Sequence, residues 1–223
     1  MPAEKLDNIF KPESLAVVGA SEKEGSVGAT LMKNIVEGFE GEIYPVNINR
    51  DTVMDIEAFS SVKEIDNEVD LAVIATPAKT VPDIVDESGK AGIEAAIVIS
   101  AGFSETGEEG EKLEEKLEAK REKHGMRILG PNCLGTIRPG ANLNLTFLRK
   151  DPAAGKVAFL SQSGAMGSAI LDWSTKAKVG FSSFVSVGNM LDIDYGDLID
   201  YFGQDPKTNS IIMYMEAVKN AEK

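Results

Sequence analysis

Short apolar runs alternate with longer amphipathic stretches along this chain. The runs Leu15–Val18, Glu42–Val46, Leu71–Ala75, Ala95–Ser100 and Arg127–Leu129 place Val, Ile, Leu and Ala on consecutive positions, the pattern of strands covered on both faces. Between them, Val27–Glu37, Val81–Ala91 and Glu108–Lys123 predict helices. The alternation is that of βαβ units laid on a parallel sheet. Thr106 with Glu109 predicts a capping box at the start of the third helix. The Glu- and Lys-rich surface of that helix reads as a solvated face.

A second series follows, with strands at Val157–Ser161, Phe181–Val187 and Ile211–Glu216 and helices at Ala165–Thr175 and Asp194–Phe202. The link Gly130–Asp151 reads as a loop, because Pro131, Gly135, Pro139 and Gly140, with Pro152 just beyond, are turn chemistry. The domain boundary is placed near Leu145, giving an α/β domain over 1–144 and a second over 145–223. Three strands and two helices make half of a doubly wound domain, and seven residues follow the last strand. Such a sheet exposes apolar surface unless more chain or a partner covers it. The expectation is a fragment or an obligate partner subunit, and therefore association.

Composition narrows the partners. The 223 residues carry 36 Asp plus Glu against 23 Lys plus Arg, a net charge of −13, with 43% apolar residues. That apolar share supports a folded core, and the acidity excludes a general binder of nucleic acid or anionic membrane. An anionic ligand must be held locally, by backbone N–H groups or a few basic side chains. Cys133 is the single cysteine, which excludes an intrachain disulfide framework and a multi-cysteine zinc site. Met1–Pro12 lacks the apolar core of a signal peptide, and no run approaches the roughly 20 apolar residues of a membrane span. A cytoplasmic location is expected.

Candidate chemistry sits where open α/β sheets bind ligands, at strand C-terminal ends. The first strand leads into Gly19-Ala20-Ser21-Glu22-Lys23-Glu24-Gly25-Ser26-Val27-Gly28, a spaced-out relative of the dinucleotide fingerprint. Gly19 permits the turn, Gly25 lets backbone approach a pyrophosphate, and Gly28 lets helix and sheet pack closely. The helix N-terminus offers free N–H groups to phosphate, although the same glycines also serve a turn without ligand. The second strand ends in Asn47-Ile48-Asn49-Arg50 where an NAD site carries a carboxylate. Arg50 suits a ribose phosphate, whether the 2′-phosphate of NADP or the 3′-phosphate of coenzyme A, and the alternative is a solvated loop arginine.

Ala75-Thr76-Pro77 and Ser100-Ala101-Gly102 end the next two strands and line the same sheet edge. Gly130-Pro131-Asn132-Cys133 predicts a tight turn with an oriented Asn132 amide and a packed, unreactive Cys133. Ser161-Gln162-Ser163-Gly164 opens a helix and serves equally as an N-cap or a phosphate cradle. A nucleophilic serine is disfavoured, since no Gly-x-Ser-x-Gly elbow is present and His124, the one histidine, lies in the other domain. Glu216, ending an apolar strand, suits either solvent or an active-site carboxylate.

Val17-Val-Gly-Ala-Ser21, Tyr44-Pro-Val-Asn47, Ile99-Ser-Ala-Gly-Phe103, Gly130-Pro-Asn132 and Leu160-Ser-Gln-Ser-Gly164 together resemble the alpha part of ADP-forming acyl-CoA synthetases. These acetate–CoA ligases are related to succinyl-CoA synthetase. The resemblance implies a Rossmann-like CoA-binding domain followed by part of a flavodoxin-like ligase domain. It implies the reaction of acyl-CoA, ADP and phosphate to acid, CoA and ATP, through an acyl phosphate and a phosphohistidine. ADP or ATP with Mg²⁺ would sit on an ATP-grasp beta partner.

By the same match, Gly19, Ser21, Ser26, Val27 and Gly28 would contact CoA phosphates, with Asn47, Asn49 and Arg50 near the adenosine. Thr76, Pro77, Ala101 and Gly102 would flank the pantetheine, and Asn132 would lie near the thioester. Ser163 and Gly164 would hold the transferring phosphoryl group, and Glu216 would orient the phosphohistidine. No histidine follows Glu216, so the resemblance implies a chain that binds CoA without completing the reaction. His124 does not match the family's position and is expected at the surface or capping its helix C-terminus. Two other readings stay open, a non-catalytic CoA-sensing module like that of some protein acetyltransferases and an NADP-dependent oxidoreductase domain.

Overall fold

The computed structural model describes residues 5–218. The first half runs α1 (Asp7–Phe10), β1 (Ser14–Val18), α2 (Val27–Gly38), β2 (Glu42–Val46), a small hairpin of β3 (Thr52–Val53) and β4 (Ile56–Glu57), β5 (Leu71–Ile74), α3 (Val81–Lys90), β6 (Ala95–Val98), α4 (Glu108–His124) and β7 (Arg127–Leu129). The second half runs β8 (Gly135–Arg138), β9 (Leu143–Thr146), β10 (Ala154–Ser161), α5 (Gly164–Ala177), β11 (Phe181–Ser186), α6 (Tyr195–Gly203) and β12 (Ser210–Tyr214).

The first sheet has the order β2-β1-β5-β6-β7, and its pairs are parallel. Leu15, Ala16 and Val17 of β1 and all four residues of β5 are fully buried, as expected of strands with helices on both faces. Burying each such Val or Leu side chain contributes about 1.5–3 kcal/mol. The order reverses between β1 and β5, which opens the ligand crevice of an open α/β sheet at their C-terminal ends. The second sheet, β12-β10-β11-β8-β9, pairs β10 in parallel with β11 and β12, while β8 and β9 are antiparallel. Its own reversal falls between β10 and β12.

Three expectations change. The chain leaves the first sheet after Leu129 and enters the second at Gly135, where β8 pairs with β11. The changeover therefore precedes the expected boundary at Leu145, and the supposed loop contains a hairpin. Its two strands are buried almost throughout, and Pro139 and Gly140 at the turn mask them. The Thr106–Glu109 capping box does not form: Gly107 is the N-cap of α4, and the Thr106 hydroxyl donates to the Phe103 carbonyl at 2.9 Å. Of the two places expected for His124, it takes the helix end, as the last residue of α4, and not the open surface. Its side chain is 14% exposed, with Nε2 2.9 Å from Asp86 Oδ1 in the α3–α4 seam. A Cβ on Gly89 would come within 2.3 Å of the ring, so α3 approaches α4 there only because residue 89 is glycine. Residues 1–4 and 219–223, counted in the two expected domains, lie outside the described residues.

The halves share one core. Leu129 and Cys133 pack in the same cluster as Leu160, Val185, Leu198 and Phe202. Phe10 of α1 meets Tyr201 and Phe202 of α6, with ring centroids 4.9 and 5.0 Å away. Arg127 of β7 pairs with Asp192 at 2.9 Å and Asp197 at 3.1 Å, and Arg138 pairs with Asp205 at 2.6 Å. On the outer side of the second sheet, Trp173 of α5 and Ile212 of β12 remain 55% and 52% exposed.

Candidate functional site

The Gly19–Gly28 turn is built by close backbone approach. Gly19 has φ +91°, and a Cβ there would lie 2.6 Å from the Ala75 carbonyl at the end of β5. A Cβ on Gly28 would lie 2.0 Å from the Gly19 carbonyl. Only hydrogen at both positions lets the start of α2 rest on the ends of β1 and β5. Ser26 is the N-cap, its Oγ accepting from Ala29 N at 3.2 Å and donating to the Lys23 carbonyl at 2.7 Å. The Val27 and Gly28 amides precede the first intrahelical bonds and face outward along the helix axis. Ser21 Oγ accepts from Lys23 N at 3.0 Å, within the loop.

Asn47 fastens this turn to β2 by donating to the Ala20 carbonyl at 2.7 Å, while its Oδ1 accepts from Asn49 N at 2.8 Å. Arg50 reaches the same loop through Glu22, with Nη1 2.5 Å from Oε2. Glu22 also accepts from Met54 N at 2.7 Å. Arg50 is thus held by a carboxylate beside the turn, with nearly half its side chain exposed. Glu22, between Ser21 and Lys23, carries no signal in the sequence of a partner 28 residues away.

A cleft of about 350 Å³ opens where the two sheets meet, lined by Val27, Thr76, Ala101, Asn132 and Gly164 from the expected set. Gln162, Phe147 and Leu134 join them. Ser100 Oγ donates to the Thr76 carbonyl at 2.6 Å and so ties the ends of β5 and β6. At the second sheet's reversal, Gln162 Oε1 accepts from the amides of Glu216 and Ala217 at 2.9 and 3.0 Å. Ser163 caps α5, its Oγ accepting from Met166 N at 3.3 Å, and Gly164 brings the helix N-terminus to the cleft. A Cβ at Gly164 would touch Leu134 at 3.4 Å.

The other expected residues stand outside the cleft wall: Gly19, Ser21, Ser26, Gly28, Asn47, Asn49 and Arg50 around the first turn, Pro77 and Gly102 beside the next two, Ser163 at the α5 cap, and Glu216, which is exposed beyond β12. Cys133 lines the cleft but is 4% exposed, with Sγ donating to the Val98 carbonyl at 3.3 Å. Burial pushes its thiol up to about 12, so it stays protonated and unreactive. Burial alone would also raise the Glu105 carboxyl, but Asn189 and the Gly102 and Phe103 amides hold it below the usual range. Among the described residues no group of acidic, His and Cys side chains could hold a metal ion, and no helix is long and apolar enough to cross a membrane. Chemically, the cleft offers two helix N-termini for anionic groups at its ends, and an apolar and amide-lined passage between them.

Residues 13–139 match the family model described as a CoA binding domain, and residues 154–223 match a succinyl-CoA ligase like flavodoxin domain. The chain is 46% identical over 98% of its length to the alpha subunit of ADP-forming acetate–CoA ligase I of Pyrococcus furiosus, of which it covers 48%. It is 45% identical to ADP-forming acetate–CoA ligase I of Archaeoglobus fulgidus, covering 32% of that protein. Among solved structures, a dinucleotide-forming acetyl-coenzyme A synthetase 1 of Ca. Korarchaeum cryptofilum, in complex with phosphate and ADP, superposes with a TM-score of 0.93 at 41% identity. That match covers 97% of this chain and 46% of the other. The chain therefore spans about half or less of the length of these relatives.

Proposed function

Because the chain belongs to the CoA-binding domain family, we propose that it is the CoA-binding alpha portion of an ADP-forming acyl-CoA synthetase, with acetyl-CoA the first acyl substrate to test. The observation that carries this reading is the cleft itself, in which the N-termini of α2 and α5 flank the Thr76, Ala101 and Asn132 turns. CoA phosphates would lie on the Val27 and Gly28 amides beside Gly19, Ser21 and Ser26, with Asn47, Asn49 and Arg50 toward the adenosine 3′-phosphate. The pantetheine arm would pass Thr76, Pro77, Ala101 and Gly102, and its thioester would reach Asn132.

In the reaction, a phosphate oxygen attacks the thioester carbonyl, the C–S bond breaks, and CoA leaves as the thiolate. Phosphate held by Ser163 and Gly164 at the α5 N-terminus is oriented for that attack and partly neutralised by the helix dipole. The acyl phosphate then gives its phosphoryl group to an imidazole nitrogen, the O–P bond breaks, and the carboxylate leaves as the acid product. His124 is buried in the α3–α4 seam with Asp86, so that imidazole belongs to another part of the assembled enzyme, where Glu216 would orient it. ADP and Mg²⁺ are assigned to an ATP-grasp beta partner, and the exposed Trp173 and Ile212 face supports association. The assembly would work in the cytoplasm.

Calorimetric titration with CoA, dephospho-CoA and NADP tests the reading. CoA binds tightest, and Arg50→Ala removes its advantage over dephospho-CoA. Tight NADP binding without CoA binding overturns it in favour of an oxidoreductase domain.

A further inference from the structure

The loop after β11 crosses from the second sheet to the first. Asn189 N donates to the Pro131 carbonyl at 2.9 Å and Leu191 N to the Gly130 carbonyl at 3.0 Å. A Cβ on Gly188 would lie 2.1 Å from the Pro131 carbonyl, so this docking is backbone against backbone. It delivers the Asn189 side chain to a point between two elements of the cleft wall. Its Oδ1 accepts from Asn132 Nδ2 at 3.2 Å. Its Nδ2 lies 2.7 Å from Glu105 Oε2, 2.8 Å from Glu114 Oε2 and 3.1 Å from Ser104 Oγ.

An amide nitrogen carries two hydrogens, and the two carboxylates, as the closer and charged acceptors, take them. The Ser104 hydroxyl donates separately to Glu114 at 2.7 Å. Glu105 in turn uses Oε1 to accept from the Gly102 amide at 2.5 Å and the Phe103 amide at 3.2 Å. One side chain from the second half thus fixes both Asn132 and the Ala101–Phe103 turn, yet it does not line the cleft.

We infer that Asn189 is a positioning residue for the thiol end of the CoA site, holding the Asn132 amide and, through Glu105, the Ala101–Phe103 turn in register across the two halves. The inference rests on the CoA reading above. Its chemistry is specific: a neutral donor lets the Glu105 and Glu114 carboxylates approach a common atom, and a third carboxylate there would drive them apart.

The test compares CoA with adenosine 3′,5′-bisphosphate, which keeps the nucleotide end and lacks the pantetheine, by calorimetry on the 223-residue chain. Asn189→Asp weakens CoA about tenfold, the scale of a lost charged hydrogen bond, and leaves the bisphosphate unchanged. Asn189→Ala weakens CoA by a smaller factor with the same selectivity. Adding Glu105→Gln to Asn189→Asp exchanges donor and acceptor, and CoA affinity recovers by at least threefold.

Equal weakening of both ligands, unchanged CoA affinity in Asn189→Asp, or a double variant no tighter than the single one overturns the inference while leaving the CoA reading intact. A parent chain that binds neither ligand overturns both. If Asn189→Asp fails to fold by circular dichroism, the Ala variant carries the same selectivity test.

Discussion

Gly28→Ala isolates the contact on which the candidate site is built. Within a helix this exchange ordinarily stabilises, by up to about 1 kcal/mol. Here the new Cβ would sit 2.0 Å from the Gly19 carbonyl oxygen, where real contacts stay beyond 3.0 Å. Backbone faces backbone, so no side chain can rotate away, and the start of α2 must part from the β1 turn by about 1 Å. Overpacking of this kind costs about 1–3 kcal/mol, which outweighs the propensity gain. For a chain of this length each kcal/mol moves the melting temperature by about 2–4 °C, so a net loss of about 1–2 kcal/mol predicts a fall of about 2–8 °C. Gly25→Ala is the control. Gly25 has φ +76° but no atom within 4 Å of a Cβ, so it bears only the left-handed backbone cost of about 1–2 kcal/mol. Thermal melts followed by circular dichroism, with calorimetric CoA titration of each variant, read both effects. CoA affinity falls at least tenfold in Gly28→Ala, because the Val27 and Gly28 amides shift with the helix. A Gly28→Ala protein that melts at or above the parent temperature, as helix propensity alone would give, refutes the reasoning.

Cys133, with its thiol pushed up to about 12 and buried against Val98, stays unmodified by iodoacetamide at pH 8 in the folded chain and alkylates in denaturant, as mass spectrometry would show. Asp192→Ala leaves Arg127 without one of its buried partners and costs about 3 kcal/mol in urea denaturation. Lys123, Lys90 and His124 hold the Asp86 carboxyl well below its ordinary range. A carboxyl depressed in the fold contributes stability that is present above its unfolded value and lost as pH falls through its folded value. The urea midpoint therefore declines as pH drops below about 4, and Asp86→Asn flattens that decline. Neutralising Glu22 in Glu22→Gln frees Arg50 of its ion pair, and the preference for CoA over dephospho-CoA widens in titrations if Arg50 meets the 3′-phosphate.

The α/β fold with its parallel Rossmann-like sheet was legible in the sequence because the signal is local and strong. Consecutive β-branched and aliphatic residues in Leu15–Val18 or Ala95–Ser100 suit a strand buried on both faces whichever neighbours it finds. The glycines of the first turn were legible for the same reason, since their backbone requirements are written in residue type. The 135–146 hairpin was not, because Pro139 and Gly140 mark a turn in a hairpin and in a linker alike. The place of His124 at the end of α4 was legible, but its packing against Asp86 was not, since it depends on Gly89, 35 positions earlier, making room for a ring. Charge pairs such as Arg50–Glu22 and the Asn189 junction join residues far apart in the chain, and nothing in the composition of either segment announces the other.

Residue order alone thus determined which segments become strands, where glycine lets backbone pack against backbone, and that a thiol at position 133 would be packed away. Only the tertiary structure decided that turns of the two strand series line a shared cleft, and which side chain of one half holds the other in register. The physical reason is that periodicity and glycine placement act within a few residues, whereas a cleft and its supporting hydrogen bonds exist only once distant segments share a core.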